Sequence, residues 1–172
     1  LQHLQDIKPA VMTVGGWFDA EDLYGPLNTY QRIEKTSKNY DTIVMGPWSH
    51  GDWARNGAKA VIGNINFGDS ISGFFQKNIE ATFFRHFLKD NGKSQNKLPE
   101  AYVFDTGLKG WKTYNVWPPE NAAKESFYLV QNKLETDTVN DSEFQEFSSD
   151  PKKPVPFTED INQKGITPRK HM

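Results

Sequence analysis

An acid and a histidine occupy matching places in two glycine-containing clusters near the start of the chain. Asp19 ends the cluster G-G-W-F-D at residues 15–19, and His50 lies within G-P-W-S-H-G at residues 46–51. In a charge-relay hydrolase, a carboxylate holds a histidine in the correct tautomer so that the ring can act as a general base. The two residue types therefore predict acid–base chemistry if the fold brings them together.

The segments around these clusters predict that the fold brings Asp19 and His50 together. Short apolar runs at 11–14 and 42–45 are typical of buried strands, and residues 24–37 between them predict a helix. A strand–helix–strand crossover places the carboxyl ends of both strands at one edge of a parallel sheet, so Asp19 and His50 should lie side by side. The G-x-S-x-G motif that usually carries a hydrolase nucleophile does not occur in the sequence.

Each residue also has an ordinary structural explanation. Asp19 could cap the following helix, with Asp22 three positions on as its capping-box partner. His50, between Ser49 and Gly51, could be a loop histidine held by backbone groups. The order of acid and then histidine on successive parallel strands favours the catalytic interpretation of the pair over either explanation taken alone.

Composition excludes several classes of function. The formal charge of −2 over 172 residues gives no reason to expect nucleic acid or an anionic membrane surface as a partner. No apolar run approaches the ~20 residues that span a bilayer, so membrane insertion is not expected. With no cysteine and four histidines that lack paired spacing, neither a metal nor another cofactor is expected.

The pattern of predicted elements changes in the second half of the sequence. A helix is predicted at 72–89. Its apolar residues predict one buried stripe, formed by Phe75, Ile79, Phe83, Phe87 and Leu88. A polar stretch follows at 91–99, and from residue 98 onward short aromatic and β-branched runs alternate with turns, which is typical of an antiparallel β-sandwich or jelly roll. We therefore expect an α/β domain over residues 1–95 and the start of an all-β domain over residues 96–172.

Several motifs along the chain resemble one known family, in the same order. They are G-G-W-F-D-x-E-D-L-Y-G, G-P-W-S-H-G, F-F-R-H-F-L-K, G-x-x-x-W-K-T-Y-x-x-W-P-P and D-P-x-x-P-V-P. The chain resembles the serine hydrolases that include α-amino acid ester hydrolases, bacterial cocaine esterase and glutaryl-cephalosporin acylases, which are distantly related to X-prolyl dipeptidyl peptidases. The resemblance implies the C-terminal end of an α/β-hydrolase domain followed by part of a β jelly roll.

The resemblance also assigns roles to four residues. Asp19 matches the triad acid and His50 the base, while Glu21 and Asp22 match acids that bind the substrate's α-ammonium group in α-amino acid ester hydrolases. Two neighbouring acids repel each other, and a bound ammonium would relieve that repulsion. The chain opens at Leu1 and is expected to be an internal fragment. The nucleophilic serine, the oxyanion donors and a third acid of the cluster are then expected upstream.

The expected function is acyl transfer by a parent enzyme that cleaves a small-molecule ester, amide or β-lactam. The fragment alone is expected to be inactive, and a homo-oligomer is possible. An X-prolyl dipeptidyl-peptidase-like enzyme is one alternative, because it must also hold a free N-terminal ammonium. A non-catalytic jelly-roll binding module is the other, and a G-x-S-Y-x-G motif upstream would exclude it. Family resemblance further implies a periplasmic or secreted location.

Overall fold

The structure, a computed structural model, describes residues 2–55, 61–62, 65–68, 70–90, 93, 98–130, 133–137 and 146–154. In chain order its elements are β1 (Val11–Gly16), α1 (Tyr24–Thr36), β2 (Asp41–Gly46), β3 (Val61–Ile62), β4 (Ile65–Asn66), α2 (Ile71–Phe74), α3 (Ala81–Phe84), β5 (Ala101–Asp105), β6 (Gly110–Tyr114), β7 (Tyr128–Val130) and β8 (Lys133–Glu135). A 3-10 turn at Asp52–Ala54 follows β2, and π-helical turns at Phe75–Glu80 and Arg85–Lys89 continue α2 and α3.

A four-stranded mixed sheet organises the described residues, with strand order β1-β2-β5-β6. β1 and β2 run parallel, with Val11 opposite Asp41 and Gly16 opposite Gly46. The helix α1 connects them, which confirms the predicted strand–helix–strand unit. β5 lies parallel to β2 on its other side, and β6 pairs antiparallel with β5.

Two hydrophobic clusters cover the two faces of this sheet. All six residues of β2 are buried, which explains why its sequence reads as one apolar run without alternation. Because successive strand side chains point to opposite faces, Val44 joins one cluster while Ile43 and Met45 join the other. The first cluster packs the sheet against the helical segment 71–89, and the second packs it against α1. The result is a three-layer α/β arrangement.

The helical segment 71–89 carries most of the predicted apolar stripe. Phe75, Ile79 and Phe83 are buried as the 3–4 spacing predicts. Leu88 is an exception, because its side chain is 73% exposed at the end of the segment. Phe87 is half-buried and packs against the rings of Tyr40 and Phe83, so the stripe ends at Phe87, one residue earlier than the sequence pattern indicated.

The expected change of architecture after residue 95 needs a correction. β5 and β6, which were expected to open the separate all-β domain, belong to the first sheet. The physical reason is that the helical segment 71–89 is itself a crossover, so β2, this segment and β5 form a second parallel unit. β5 lies between β2 and β6 in this sheet, and none of its residues is exposed.

The remaining strands form small sheets of their own. β7 and β8 pair antiparallel, and so do β3 and β4. A jelly roll in the later part of residues 96–172 stays a prediction, and residues 155–172 lie outside the described part of the chain. Of the helices in the described part, none combines the length and apolar character that crossing a membrane requires.

Candidate active site

Glycines at the ends of β1 and β2 let the two following loops approach closely. Beyond the strands, the backbone N–H of Trp17 donates to the carbonyl of Gly46 over 2.8 Å, and Phe18 donates to that of Trp48 over 3.1 Å. A Cβ atom on Gly16 would lie 2.2 Å from the carbonyl oxygen of Trp48, and one on Gly46 would lie 2.3 Å from the Trp48 ring. Both positions therefore exclude a larger residue, and this close contact sets the separation of the two loops.

Asp19 lies three residues beyond β1 and is buried, with a relative exposure of 7%. Its Oδ1 accepts the backbone N–H of Glu21 over 2.9 Å and that of Asp22 over 3.2 Å. The same carboxylate accepts from Nδ1 of His50, at 3.0 Å for Oδ2 and 3.2 Å for Oδ1. Backbone groups therefore fix the orientation of the carboxylate, and the carboxylate in turn fixes the imidazole.

His50 lies four residues beyond β2 and leaves much of its ring accessible, with 46% of the side chain exposed. Because the Asp19 carboxylate can only accept, Nδ1 must carry the proton and Nε2 of a neutral ring can accept one. Nε2 lies 3.6 Å from Oε2 of Glu21, which is longer than a hydrogen bond but within ion-pair distance. The tautomer with the proton on Nδ1 is the one that a general base in a charge-relay pair requires.

The structure gives different surroundings to the two acids that follow Asp19. The carboxylate of Glu21 lies beside Nε2 of His50. Oδ1 of Asp22 instead accepts the backbone N–H of Gly25 over 2.6 Å, and so satisfies one of the free N–H groups in the first turn of α1. The capping role that the sequence suggested for Asp19 therefore belongs to Asp22. Only Glu21 of the two acids is shown in contact with the histidine.

Sequence reasoning missed a second polar contact, which spans the His50 loop. Ser49 Oγ donates to Oδ2 of Asp52, and both residues are buried. The other oxygen, Oδ1, accepts from Nη1 of Arg55 over 3.1 Å. The available signal was a serine and an aspartate three residues apart, with one on each side of His50-Gly51. Because the hydroxyl of Ser49 is buried and donates to Asp52, it is not oriented to act as a nucleophile toward His50.

Three acids lie at the opposite end of the sheet, where the parallel strands begin: Asp41 is buried, Glu100 is half-buried and Glu34 is exposed. A cavity of about 450 Å³ there is lined in part by Tyr30, Glu34 and Glu100. The hydroxyl of Tyr30 donates to the Glu100 carboxylate. Burial first, and then the charges of Glu34 and Glu100, raises the pKa of Asp41 to about 7. Burial also raises the pKa of Glu34, with Glu100 adding to the shift.

This second group is separate from the predicted site. Asp41 begins β2, while His50 follows its other end, so the length of the strand lies between them. Within the described ranges, no set of three or more His, Cys, Asp or Glu side chains has an arrangement that could hold a metal ion.

Three comparisons with known proteins bear on this site. Residues 1–52 match the family model described as X-Pro dipeptidyl-peptidase (S15 family). This range contains β1, α1, β2 and both members of the Asp19–His50 pair. No curated protein matches the chain.

Two solved structures share the fold over most of the chain. A crystal structure of an aminopeptidase from a marine sediment archaeon, Thaumarchaeota archaeon, is 30% identical with a TM-score of 0.76, covering 94% of this chain and 27% of that one. An α-amino acid ester hydrolase labelled with selenomethionine is 27% identical with a TM-score of 0.70, covering 86% of this chain and 25% of that one. The chain thus spans about a quarter of the length of each of these proteins.

The motifs, the matched family model and the two structural likenesses agree with one another. Accordingly, the chain is a relative of the X-Pro dipeptidyl-peptidases of the S15 family and of the α-amino acid ester hydrolases.

Proposed function

We propose that this chain supplies the acid and the general base of a serine hydrolase that cleaves esters or amides by acyl transfer. The observation that carries the proposal is the contact of 3.0 Å between Nδ1 of His50 and the buried carboxylate of Asp19. The serine nucleophile and the oxyanion donors are proposed to lie outside these 172 residues. The likeness to an aminopeptidase and to an α-amino acid ester hydrolase supports this class of reaction.

In the proposed reaction, Nε2 of His50 takes the proton of the serine hydroxyl while the serine oxygen bonds to the substrate carbonyl carbon. Asp19 stabilises the imidazolium that forms, through the proton on Nδ1. The imidazolium then gives its Nε2 proton to the departing alcohol or amine. A water molecule, deprotonated by the same nitrogen, then bonds to the acyl carbon, and the imidazolium gives that proton to the serine oxygen as its bond to the acyl group breaks.

The substrate class we favour carries a free α-ammonium group beside the scissile carbonyl. The carboxylate of Glu21 is partly exposed and lies 3.6 Å from Nε2 of His50, so an ammonium bound by Glu21 would place its neighbouring carbonyl close to the base. Asp22 would reinforce this negative charge from the start of α1. α-Amino acid esters and β-lactams with an α-amino acyl chain meet this requirement.

A dipeptidyl-peptidase activity is the second candidate, because the S15 family model covers the segment that contains Asp19 and His50. Such an enzyme also holds a free ammonium, at the N-terminus of a peptide. The two activities differ in the distance from the ammonium to the scissile bond. An amino acid ester places them one residue apart, and a dipeptide substrate places them two residues apart.

We also propose, from the family resemblance, that the protein continues into a β jelly roll and that the enzyme is exported. The alternative is a jelly-roll binding module without catalysis. The pairing of β5 and β6 with the sheet that carries Asp19 and His50 favours an enzyme domain over an isolated binding module.

The test uses the full-length protein and compares wild type with His50→Ala. Three substrates separate the alternatives: phenylalanine methyl ester, its N-acetyl form, and glycyl-prolyl-p-nitroanilide. We expect hydrolysis of the first to fall by at least ~10⁴-fold in His50→Ala, because the general base is lost. His3→Ala, which changes an exposed histidine, is the matched control and should behave as wild type.

Each substrate outcome has a defined meaning. Preference for the free ester over the N-acetyl ester supports recognition of the ammonium, and preference for the anilide supports the dipeptidyl-peptidase. Wild-type rates in His50→Ala would remove the catalytic assignment. Absence of hydrolysis of all three substrates by the wild-type protein would favour the binding module.

A further inference from the structure

The loop that carries His50 is closed by contacts between the residues on either side of it. The backbone N–H of Asp52 donates to the carbonyl of Ser49 over 3.2 Å, and the Ser49 hydroxyl donates to the Asp52 carboxylate. Between them, Gly51 has a φ of 72°, in the left-handed region that favours glycine. His50 thus stands at the tip of a tight turn whose two ends are held by both a backbone and a side-chain hydrogen bond.

The same turn is fixed to the helical segment 71–89. Ser72 Oγ donates to the carbonyl oxygen of Asp52 over 3.1 Å, and Nε2 of Gln76 donates to that of Trp53 over 2.8 Å. Ser72 and Asp52 are both buried, so water cannot easily replace the contact between them. The position of the turn relative to the core is therefore determined by contacts on the side away from Asp19.

The carboxylate of Asp52 is the centre of this arrangement. It is 7% exposed and accepts from Ser49 through one oxygen and from Arg55 through the other. Removing a carboxylate from such a place leaves the Ser49 hydroxyl buried without its acceptor. The turn would then lose the side-chain contact that closes it around His50.

We propose that Asp52 is a positioning residue for the general base. It acts through Ser49, holding the backbone on both sides of His50 so that Nδ1 meets Asp19 and Nε2 faces the reacting atoms. It touches neither substrate nor nucleophile. The inference rests on the proposed function of His50 as a general base, and it adds a second aspartate to the support of that histidine. Asp19 orients the ring from its Nδ1 side, and Asp52 orients the loop from beneath.

The test compares four variants of the full-length enzyme: Asp52→Ala, Asp52→Asn, Ser49→Ala and Arg55→Gln. We expect Asp52→Ala to lower kcat by about 10- to 100-fold, the effect of displacing a catalytic group by about 1 Å. KM should stay within about twofold of the wild-type value, because no substrate contact is removed. Ser49→Ala should show a smaller fall in kcat, and Asp52→Asn the smallest, because its amide oxygen can still accept from Ser49.

Arg55→Gln is the matched control. It removes the ion pair of Asp52 but keeps the contact with Ser49, and the Arg55 side chain is 59% exposed. We expect its kcat to stay within about threefold of the wild-type value, because the contact between Ser49 and Asp52 that closes the turn is unchanged. A fall as large as that in Asp52→Ala would show that charge balance matters here and would overturn the positioning role.

A spectroscopic measurement separates positioning from a loss of stability. The proton that His50 Nδ1 shares with Asp19 should give a low-field ¹H resonance that is missing in His50→Ala. We expect this resonance to broaden or shift in Asp52→Ala and Ser49→Ala, and to persist in Arg55→Gln. Wild-type kcat and an unchanged resonance in Ser49→Ala and Asp52→Ala would refute the inference. Wild-type activity in His50→Ala would instead refute the proposed function on which it rests.

Discussion

Asp19 shows how a single side chain serves both the fold and the site. Its Oδ1 accepts two backbone N–H groups, from Glu21 and Asp22, which holds the turn after β1 in place. Oδ2 is the nearer oxygen to Nδ1 of His50. The structural explanation and the catalytic explanation of this residue are therefore compatible. A carboxylate fixed by backbone donors is a better orienting group for a histidine than a freely rotating one.

Glu21 and Asp22 differ in what their carboxylates contact, and this difference can be measured. We expect Glu21→Gln to raise KM for substrates with a free α-ammonium by the equivalent of about 1–3 kcal/mol, because a charged hydrogen bond is lost. Asp22→Asn should have a smaller effect, since its amide oxygen can still accept the N–H of Gly25. Steady-state kinetics on an amino acid ester and on the matching N-acetyl ester would measure both effects. Equal losses on the two esters would show that neither acid recognises the ammonium.

At the scale of elements, the register between β1 and β2 determines the site. Gly16 pairs with Gly46, and the chain then needs three residues to reach Asp19 and four to reach His50. Because the strands are parallel, the two loops leave the same edge of the sheet. The glycines allow the loops to come within hydrogen-bonding distance of each other, through the contacts that Trp17 and Phe18 make.

Substitution of Gly16 tests whether the close contact between the loops after β1 and β2 matters for stability. We expect Gly16→Ala to destabilise the protein by about 1–3 kcal/mol, because its Cβ would overlap a backbone oxygen that cannot move away. Gly73→Ala in α2 is the matched control, since the nearest atom would lie at 3.7 Å. Alanine there should be neutral or stabilise the helix by up to about 1 kcal/mol. Denaturant unfolding measures both changes, and equal stabilities would contradict the proposed close approach.

The elements that the sequence could predict are those with strong local signals. The unit β1–α1–β2 follows from two apolar runs and a helical segment, and the meeting of Asp19 and His50 follows from its parallel topology. The place of β5 was not predictable in the same way, because the choice of partner strand depends on contacts that are distant in sequence. The contact between Ser49 and Asp52 was missed because it depends on the tight turn at Gly51, which periodicity does not show.

At the scale of the whole molecule, the two ends of the sheet carry different acids. The carboxyl ends of the strands hold the Asp19–His50 pair, and the amino ends hold buried Asp41 with Glu34 and Glu100 beside it. Burial raises the pKa of Asp41 to about 7 and also raises the pKa of Glu34. The fold therefore favours the protonated forms of Asp41 and Glu34, and the ionisation of these two acids opposes folding.

This opposition predicts a dependence of stability on pH. The folded-state pKa of Asp41, about 7, lies above its ordinary value of 3.8, so its contribution to stability is fully present below about pH 4 and is lost as the pH rises to about 7. We expect Asp41→Asn to stabilise the protein at pH 8 by roughly 1–3 kcal/mol. The gain should shrink toward pH 5. Thermal unfolding at both pH values measures it, and a gain that grows at pH 5 would contradict the assigned burial.

The most direct measurement of the central claim is the kcat of Asp19→Asn in the full-length enzyme, with phenylalanine methyl ester as substrate. Asp105→Asn is the matched control, because Oδ1 of Asp105 also accepts the N–H groups two and three residues on, in a turn that lacks a histidine. Asp19→Asn keeps a side-chain oxygen that can accept the backbone N–H groups of Glu21 and Asp22, but it loses the carboxylate that accepts Nδ1–H of His50. We predict a fall in kcat of roughly 10⁴-fold with little change in stability, and nearly unchanged activity in Asp105→Asn. A kcat for Asp19→Asn close to that of wild type would contradict the assignment of Asp19 and His50 as the acid and base of the enzyme.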